Sequence, residues 1–475
     1  MMMEKTKKSK LTVPQTLVLG VLGSILIGAI LLKLPMSNCN GKSISVIDTL
    51  FTATSAVCVT GLNTIVPAQQ FTTFGKVVLM CLIEVGGIGF MSFIALILMI
   101  MKRKISFSER ILIKESLNQN NEKGIIKLIK KVFIYIGIIE IIGAIILSIR
   151  FIPEYGAKTG IFYSIFHSIS AVCNAGFDII GNSSLIKYQY DGLVSITIMF
   201  LIIIGGLGYT VWSDLVDTIK KIFKSKIKIT KACSELSTHT KIVLTTTLIL
   251  IISGAMFTFF LEKDNVQIMK SDNVAQKILK SSFYSVTLRT AGFETIDSTE
   301  LTTATKFISL IYMFIGGSSG STAGGVKTTT FAIIILMVIS YLKGQENTVV
   351  YKRTIPQKVL KRAIVIVSVS IFIVIASIMG LAITEDLRAE QQLPSSEMIE
   401  REIEFLDIFY EVFSAFGTVG LTTGITTKLS KLGKVIIMLL MFIGRLGPIT
   451  ISYAVLKKHN TQKNINYPES DLLVG

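Results

Sequence analysis

Histidine, cysteine and charge are all scarce in this 475-residue chain, and each shortage removes a class of function. The three histidines, His167, His239 and His459, stand in no pair at ligand spacing, so an imidazole-based metal centre has no support. The five cysteines, Cys39, Cys58, Cys81, Cys173 and Cys233, form no CxxC pair and no small-domain spacing, which leaves neither a disulfide framework nor a zinc site. Charged residues make up 17% of the chain against 51% hydrophobic, and the mean hydropathy is +0.64. That balance excludes a soluble domain and implies a polytopic membrane protein. No paired Asp, His–Glu or Ser–His constellation falls within the apolar runs, so an intramembrane enzyme is not indicated.

The charge that is present is mostly positive, with a formal net charge of +17. It lies in the links between apolar runs and at the ends, where orientation in a membrane accounts for it without nucleic acid. Lys5, Lys7, Lys8 and Lys10 precede an apolar run too long for a signal-peptide core and without a small-residue cleavage site, so this run reads as a retained first span.

Runs of about 20 apolar residues predict eight spans, at 12–34, 74–101, 127–150, 192–216, 240–261, 304–341 (interrupted), 360–384 and 432–456. The spans come in pairs. Between the members of each pair lies a shorter apolar segment, at 46–58, 159–173, 274–289 and 403–417, too short to cross and suited to a re-entrant half-helix. Each segment runs into a repeated motif: Ser55-Ala56-Val57-Cys58-Val59-Thr60-Gly61-Leu62, Ser170-Ala171-Val172-Cys173-Asn174-Ala175-Gly176-Phe177, Val286-Thr287-Leu288-Arg289-Thr290-Ala291-Gly292-Phe293 and Ser414-Ala415-Phe416-Gly417-Thr418-Val419-Gly420-Leu421. One unit of span, half-helix, glycine loop and span is therefore used four times, all in parallel, packed about a common axis. The expected units cover 11–101, 125–222, 239–343 and 356–456, followed by a tail over 457–475.

Orientation follows from lysine and arginine. The links between units carry Lys102, Arg103, Lys104, Lys220, Lys221, Lys224, Lys352 and Arg353 among others, which places them and both termini in the cytoplasm. The links within units are mixed or acidic, as with Glu385, Asp386, Glu397 and Glu400, and belong outside with the glycine loops.

Non-helical backbone at membrane depth survives only where protein buries it or where it lines a wet cavity. Four such loops about an axis make a ring of main-chain carbonyls able to replace the hydration shell of a bare monovalent cation. The expected ion-binding segments are Val59-Thr60-Gly61, Asn174-Ala175-Gly176, Thr290-Ala291-Gly292 and Thr418-Val419-Gly420. The half-helices run inward, so the partial negative charge at their C-terminal ends points at the pore centre and favours a cation.

These motifs, and above all their combination, resemble the Trk/Ktr/HKT superfamily of potassium transporters over nearly the whole chain, Val13 to about Leu456. Within it the chain looks most like the KtrB-type membrane subunits of bacterial Ktr systems. Relatives of the TrkH type carry two further N-terminal spans, whereas here the first unit starts almost at once after Lys10. The resemblance implies K⁺ as the transported ion, with Na⁺ as a second ion in coupling or activation, and no organic cofactor in this chain. It implies a homodimer in the cell membrane, docked on a separate cytosolic KtrA-type ring that binds nucleotides. The competing reading is a broken-helix carrier for another solute, whose inverted repeats would alternate in orientation where these four are parallel.

The sixth span is interrupted by Gly316-Gly317-Ser318-Ser319-Gly320-Ser321-Thr322-Ala323-Gly324-Gly325. The run approximates a phosphate-binding loop, but Val326 separates Gly325 from Lys327 and no strand precedes it. The resemblance makes it an intramembrane gating loop, against the plainer reading of a passive kink. Arg445, in Gly444-Arg445-Leu446-Gly447, matches Gly86-Gly87-Ile88-Gly89 and Gly205-Gly206-Leu207-Gly208 of the first two units. An arginine at that depth must face the interior. The resemblance implies a positive barrier beneath the filter, against a structural pairing with loop carbonyls. Glu84 and Glu140, also within spans, divide evenly between structural pairing and permeation. Cys58 and Cys173, three residues before their glycines, read as packed thiols rather than Cu(I) ligands, because the third and fourth units have Arg289 and Gly417 there. Arg289, at a half-helix C-terminus, is expected to brace the third loop.

Overall fold

The computed structural model describes residues 12–39, 44–101, 110, 125–181, 184–225, 228, 231, 234–391 and 404–455. Several residues behind the orientation reading lie outside these, among them Lys5, Lys102, Lys104, Glu397 and Glu400, as does the expected tail over 457–475.

The described helices of eight or more residues fall into four sets of four. The first set is α1 (Val13–Lys33), α2 (Val46–Cys58), α3 (Thr73–Ile88) and α4 (Phe90–Ile100). The second is α5 (Ile125–Tyr155), α6 (Ala157–Val172), α7 (Gly192–Leu207) and α8 (Tyr209–Ser225). The third is α9 (Thr238–Glu262), α10 (Val274–Thr287), α11 (Thr303–Phe314) and α12 (Thr328–Leu342). The fourth is α13 (Gln357–Gln391), α14 (Phe405–Gly417), α15 (Lys431–Leu446) and α16 (Pro448–Val455). A two-residue hairpin, Val349–Val350 with Arg353–Thr354, joins the third set to the fourth.

The first helix of each set is long and apolar enough to cross a membrane by length and composition. Helix α1 shows why it needs lipid. It buries Leu17, Val21, Ile25, Ala29 and Leu32 on one face, yet exposes Leu19, Leu22, Leu26, Ile27 and Ile30 on the other. A helix apolar all round is stable only in an apolar surrounding. The second helix of each set is the expected half-helix; at about 1.5 Å per residue it falls short of an apolar layer roughly 30 Å thick. Local signals fix the starts: Ser45 Oγ accepts from Asp48 N (3.2 Å), and Asn273 with Gln276 forms a reciprocal capping box.

The second spans of three sets depart from expectation, while that of the third set is interrupted as expected. Three of these spans read as continuous, at 74–101, 192–216 and 432–456, but each is broken in the middle. Helices α3 and α4 meet at 101° and α7 and α8 at 102°. The hinges are Gly89 (φ 92°) and Gly208 (φ 93°), and Gly447 (φ 84°) holds the same place between α15 and α16. These positive φ values are open to glycine at no steric cost, so the helix stops there despite an uninterrupted apolar run. In the third set the interruption widens to residues 315–327.

The sets close on themselves. The first helix of each second span packs on the half-helix of the next set: α3 on α6, α7 on α10, α11 on α14, and α15 back on α2. Ion pairs, one buried and one half-buried, reinforce two of these contacts at equivalent positions. Lys306, fourth residue of α11, lies 3.6 Å from Asp407, third residue of α14, and Lys434 of α15 lies 2.8 Å from Asp48 of α2.

Candidate functional site

The four glycine loops form one closed ring. A β-carbon on Gly61 would stand 2.7 Å from the carbonyl oxygen of Ala175, and one on Gly176 would stand 2.7 Å from that of Ala291. One on Gly292 would stand 2.5 Å from Val419 O, and one on Gly420 would fall on Thr60 O. Each glycine therefore abuts the carbonyl just before the next glycine, in the order one, two, three, four, one.

Each loop has the same backbone. The glycines are left-handed, at φ 98°, 67°, 73° and 94°, and so are the residues two before them: Val59 (57°), Asn174 (58°), Thr290 (67°) and Thr418 (53°). With the intervening residue on the ordinary side, the alternation turns successive carbonyls to one side instead of opposite sides as in a strand. A left-handed β-branched residue costs about 1–3 kcal/mol, so three of the four loops carry strain that their surroundings must hold. The holding groups lie six residues before the glycine in three units. Ser55 O, Ser170 O and Ser414 O each accept a backbone hydrogen bond at 2.8 Å from the residue preceding the glycine. Ser55 Oγ also accepts from Gly61 N (3.0 Å), and Ser414 Oγ accepts from Gly420 N (3.1 Å). In the third unit, where this position is Val286, Thr287 Oγ1 donates to Phe293 O at 2.7 Å instead.

The side chains two before the glycines rest on the broken spans. Val59 lies against Gly86, Asn174 against Gly205, Thr290 against Gly316 and Thr418 against Gly444. The half-helix ends Val57, Val172 and Phe416 bring their carbonyls onto Gly86, Gly205 and Gly444, where any β-carbon would be under 3.0 Å away.

The polar run Gly316 to Gly325 folds under this ring as a loop shared among units. Its base is a bridge, with Gly316 N donating to Val326 O (2.9 Å) and Val326 N to Phe314 O (3.3 Å). Ser318 N donates to Gly206 O at 2.9 Å, Thr322 N to Gly205 O at 3.3 Å, and Gly325 N to Gly444 O at 3.2 Å. Gly320 O accepts from Tyr209 N at 2.8 Å. Arg445 crosses the assembly: Nη1 donates to Thr322 O, and Nη2 donates to Gly86 O and to Gly87 O, the last at 3.0 Å. The side chain thus ties the loop of the third unit to the span break of the first. Beside it lies a cavity of about 350 Å³, whose lining includes Gly86 to Gly89, Ser319 to Ser321, Lys327, Arg362 and Arg445. No carboxylate lines it among the described residues.

The four glycine loops thus form one closed ring with the polar loop packed against it. The family model for TrkH, described as a cation transport protein, matches residues 18–467. The chain belongs to the TrkH family of cation transport proteins. It is 42% identical over 466 residues to the Ktr system potassium uptake protein B of Bacillus subtilis, covering 98% of this chain and 97% of that one. It is 39% identical over 476 residues to the potassium/sodium uptake protein NtpJ of Enterococcus hirae, covering 100% and 99%. The crystal structure of the potassium transporter TrkH from Vibrio parahaemolyticus superposes with a TM-score of 0.71, at 17% identity, over 95% of this chain and 87% of that one. Membership of the TrkH family makes the chain a membrane transport protein and not an enzyme.

Two features of this TrkH-family chain fall away from the ring. Glu84 on α3, Glu140 on α5 and Cys173 bring carboxylate oxygens and Sγ within 4.8 Å of one another, and Cys173 Sγ donates to Glu84 Oε2 at 3.4 Å. The trio stands behind the second loop, where a β-carbon on Gly87 would lie 2.5 Å from Cys173 Sγ, and none of the three lines the cavity. Arg289 reaches past its loop: Nη2 donates to Thr328 Oγ1 (3.3 Å), which donates to Gly316 O (2.8 Å), so it ties down the polar loop's base.

Two sets of residues escaped sequence reasoning. Asn63, Asp178, Glu294 and Thr422, each two residues after its glycine, are all half-buried, while the residues between, Leu62, Phe177, Phe293 and Leu421, are buried. The repeat register already carried this signal. Lys327 is the other; its chemistry is visible only in three dimensions.

Proposed function

We propose that this chain is the potassium-translocating subunit of a Ktr-type uptake system in the cell membrane. Four parallel units, together eight spans, surround one pore, and both termini lie in the cytoplasm. The units span 11–101, 125–222, 239–343 and 356–456. The observation that carries the reading is the closed ring: Gly61, Gly176, Gly292 and Gly420, each abutting the next loop's carbonyl, with matching left-handed backbone in all four. Carbonyls held in this way replace the water around a cation the size of K⁺, as the names of the potassium-uptake relatives would require. The selectivity filter is then Val59-Thr60-Gly61, Asn174-Ala175-Gly176, Thr290-Ala291-Gly292 and Thr418-Val419-Gly420.

Below it, residues 316–327 form the gating loop and Arg445 the positive barrier. Arg445 lines the cavity without a carboxylate partner among the described residues, which supports the barrier reading, while its bonds to Thr322 O, Gly86 O and Gly87 O are those the alternative, a structural pairing with loop carbonyls, also expects. The name of the Enterococcus hirae relative supports Na⁺ as a second ion. The regulator is a separate cytosolic nucleotide-binding ring of the KtrA type, and the chain works as a homodimer. The parallel direction of all four units speaks against a carrier built from inverted repeats.

Purified protein in liposomes tests the reading. ⁸⁶Rb⁺ uptake should be competed by K⁺ and weakly by Na⁺, and should be stimulated by the nucleotide-binding ring. Liposomes that take up no ⁸⁶Rb⁺ with or without the ring would overturn it.

A further inference from the structure

Two cations donate directly to carbonyls of the polar loop, and only one of them is Arg445. Lys327 directs Nζ back along the chain to Ala323 O at 2.6 Å, while Arg445 Nη1 takes the neighbouring carbonyl, Thr322 O. Consecutive carbonyls of one short loop are therefore each held by a cation, one from within the third unit and one from the fourth. Both cations line the same cavity, and neither has a carboxylate partner among the described residues.

The placement of Lys327 runs against local preference. It is the N-cap of α12, and its side chain makes no capping hydrogen bond there. N-caps favour Ser, Thr, Asp or Asn, and the positive end of the helix dipole disfavours a cation. Helix formation thus gains nothing from a lysine at this place. Its ammonium instead closes a ring over Ala323 to Lys327, the stretch that contains Gly324 and Gly325, and Ala323 is itself 2% exposed.

We infer that Lys327 is a second latch of the polar loop, a positioning residue that holds Ala323 O while Arg445 holds Thr322 O, so that the loop leaves the pathway only when both contacts release. The inference rests on the proposed transport function for its consequence, and on the loop's own geometry for its existence. The two latches differ in kind. Arg445 binds the loop to the first unit through Gly86 O and Gly87 O, so movement between units can release it. Lys327 moves with its own unit and resists the loop's unfolding from within.

The test has two readouts on the purified protein in liposomes. Hydrogen–deuterium exchange of residues 316–327 reports the latch directly, and ⁸⁶Rb⁺ uptake reports its effect on transport. Lys327→Met removes both donor and charge and should raise exchange over the loop on the order of tenfold or more, as loss of a charged hydrogen bond would, with faster uptake. Lys327→Arg, which keeps a cationic donor, should stay near the unmodified protein. Lys327→Met with Arg445→Gln should exchange faster than either alone. Lys327→Gln gives a second reading with a polar side chain if the Met variant does not fold. Unchanged loop exchange in both the Met and Gln variants would overturn the latch, whatever the uptake. Absence of uptake by the unmodified protein would instead overturn the transport reading, and the exchange data would still decide the latch.

Discussion

Thr418 and Gly324 are in direct contact across the boundary between the glycine ring and the polar loop: Oγ1, Cγ2 and Cβ of Thr418 all lie within about van der Waals reach of where a β-carbon on Gly324 would stand. Thr418 Oγ1 is buried with no hydrogen-bond partner among the described residues. The glycine loop of the fourth unit therefore rests on the polar loop of the third.

That contact predicts that Gly324→Ala disturbs selectivity from outside the ring. The added methyl would press on Thr418, whose left-handed backbone has little room to adjust. K⁺ preference over Na⁺ in ⁸⁶Rb⁺ competition should fall, while Gly23→Ala, at a site with nothing within 4 Å, should leave it unchanged. Equal selectivity in both variants would separate loop from filter.

Within the ring, Gly176→Ser and Gly292→Ser should each disturb two loops at once. The new β-carbon would be 2.7 Å from Ala291 O in the first case and 2.5 Å from Val419 O in the second, at a φ that L side chains rarely adopt. Discrimination of K⁺ from Na⁺ should weaken more than the amount of folded protein does, measured as competition of uptake normalised to size-exclusion yield. Normal discrimination in both would remove the filter assignment.

Arg445 separates charge from contact through two substitutions. Two unit charges about 4 Å apart repel by roughly 4 kcal/mol at an effective dielectric near 20, so a cation passing the guanidinium meets a real barrier. Arg445→Gln retains a donor for Thr322 O but loses the charge, and should speed K⁺ flux. Arg445→Lys keeps the charge but cannot span Thr322 O, Gly86 O and Gly87 O together, and should mainly loosen the loop. Slower flux in the Gln variant would mark the arginine as a brace alone.

The seam between the third and fourth units supplies a stability test. Lys306 and Asp407 are both buried, with side chains 5% and 3% exposed. Lys306→Met strands the carboxylate, which should cost about 3–5 kcal/mol and lower the melting temperature in detergent. Lys306→Met with Asp407→Leu should recover most of the loss, because an apolar pair of similar volume replaces two buried charges. A single variant that melts with the unmodified protein would show that the pair carries no weight at this seam.

The sequence alone established the membrane class, the four-fold repeat and the half-helices, because long apolar runs, segments too short to cross and a recurring glycine are all local in the chain. The first half-helix was expected at 46–58 and lies at Val46–Cys58. It did not disclose that the second spans break at Gly89, Gly208 and Gly447, since a glycine within an apolar run reads as part of one helix and its positive φ is not written in the pattern. It could not show left-handed Val59, Thr290 and Thr418, because β-branched residues are poor candidates for that conformation and only the packed ring imposes it. The partners of Arg445 and Lys327 were equally hidden. Thr322 O and Ala323 O are backbone atoms that carry no mark in the sequence, and Thr322 stands 123 residues from Arg445. Apolar pattern marked the helices for the membrane, and tertiary structure decided which carbonyls and which cations meet.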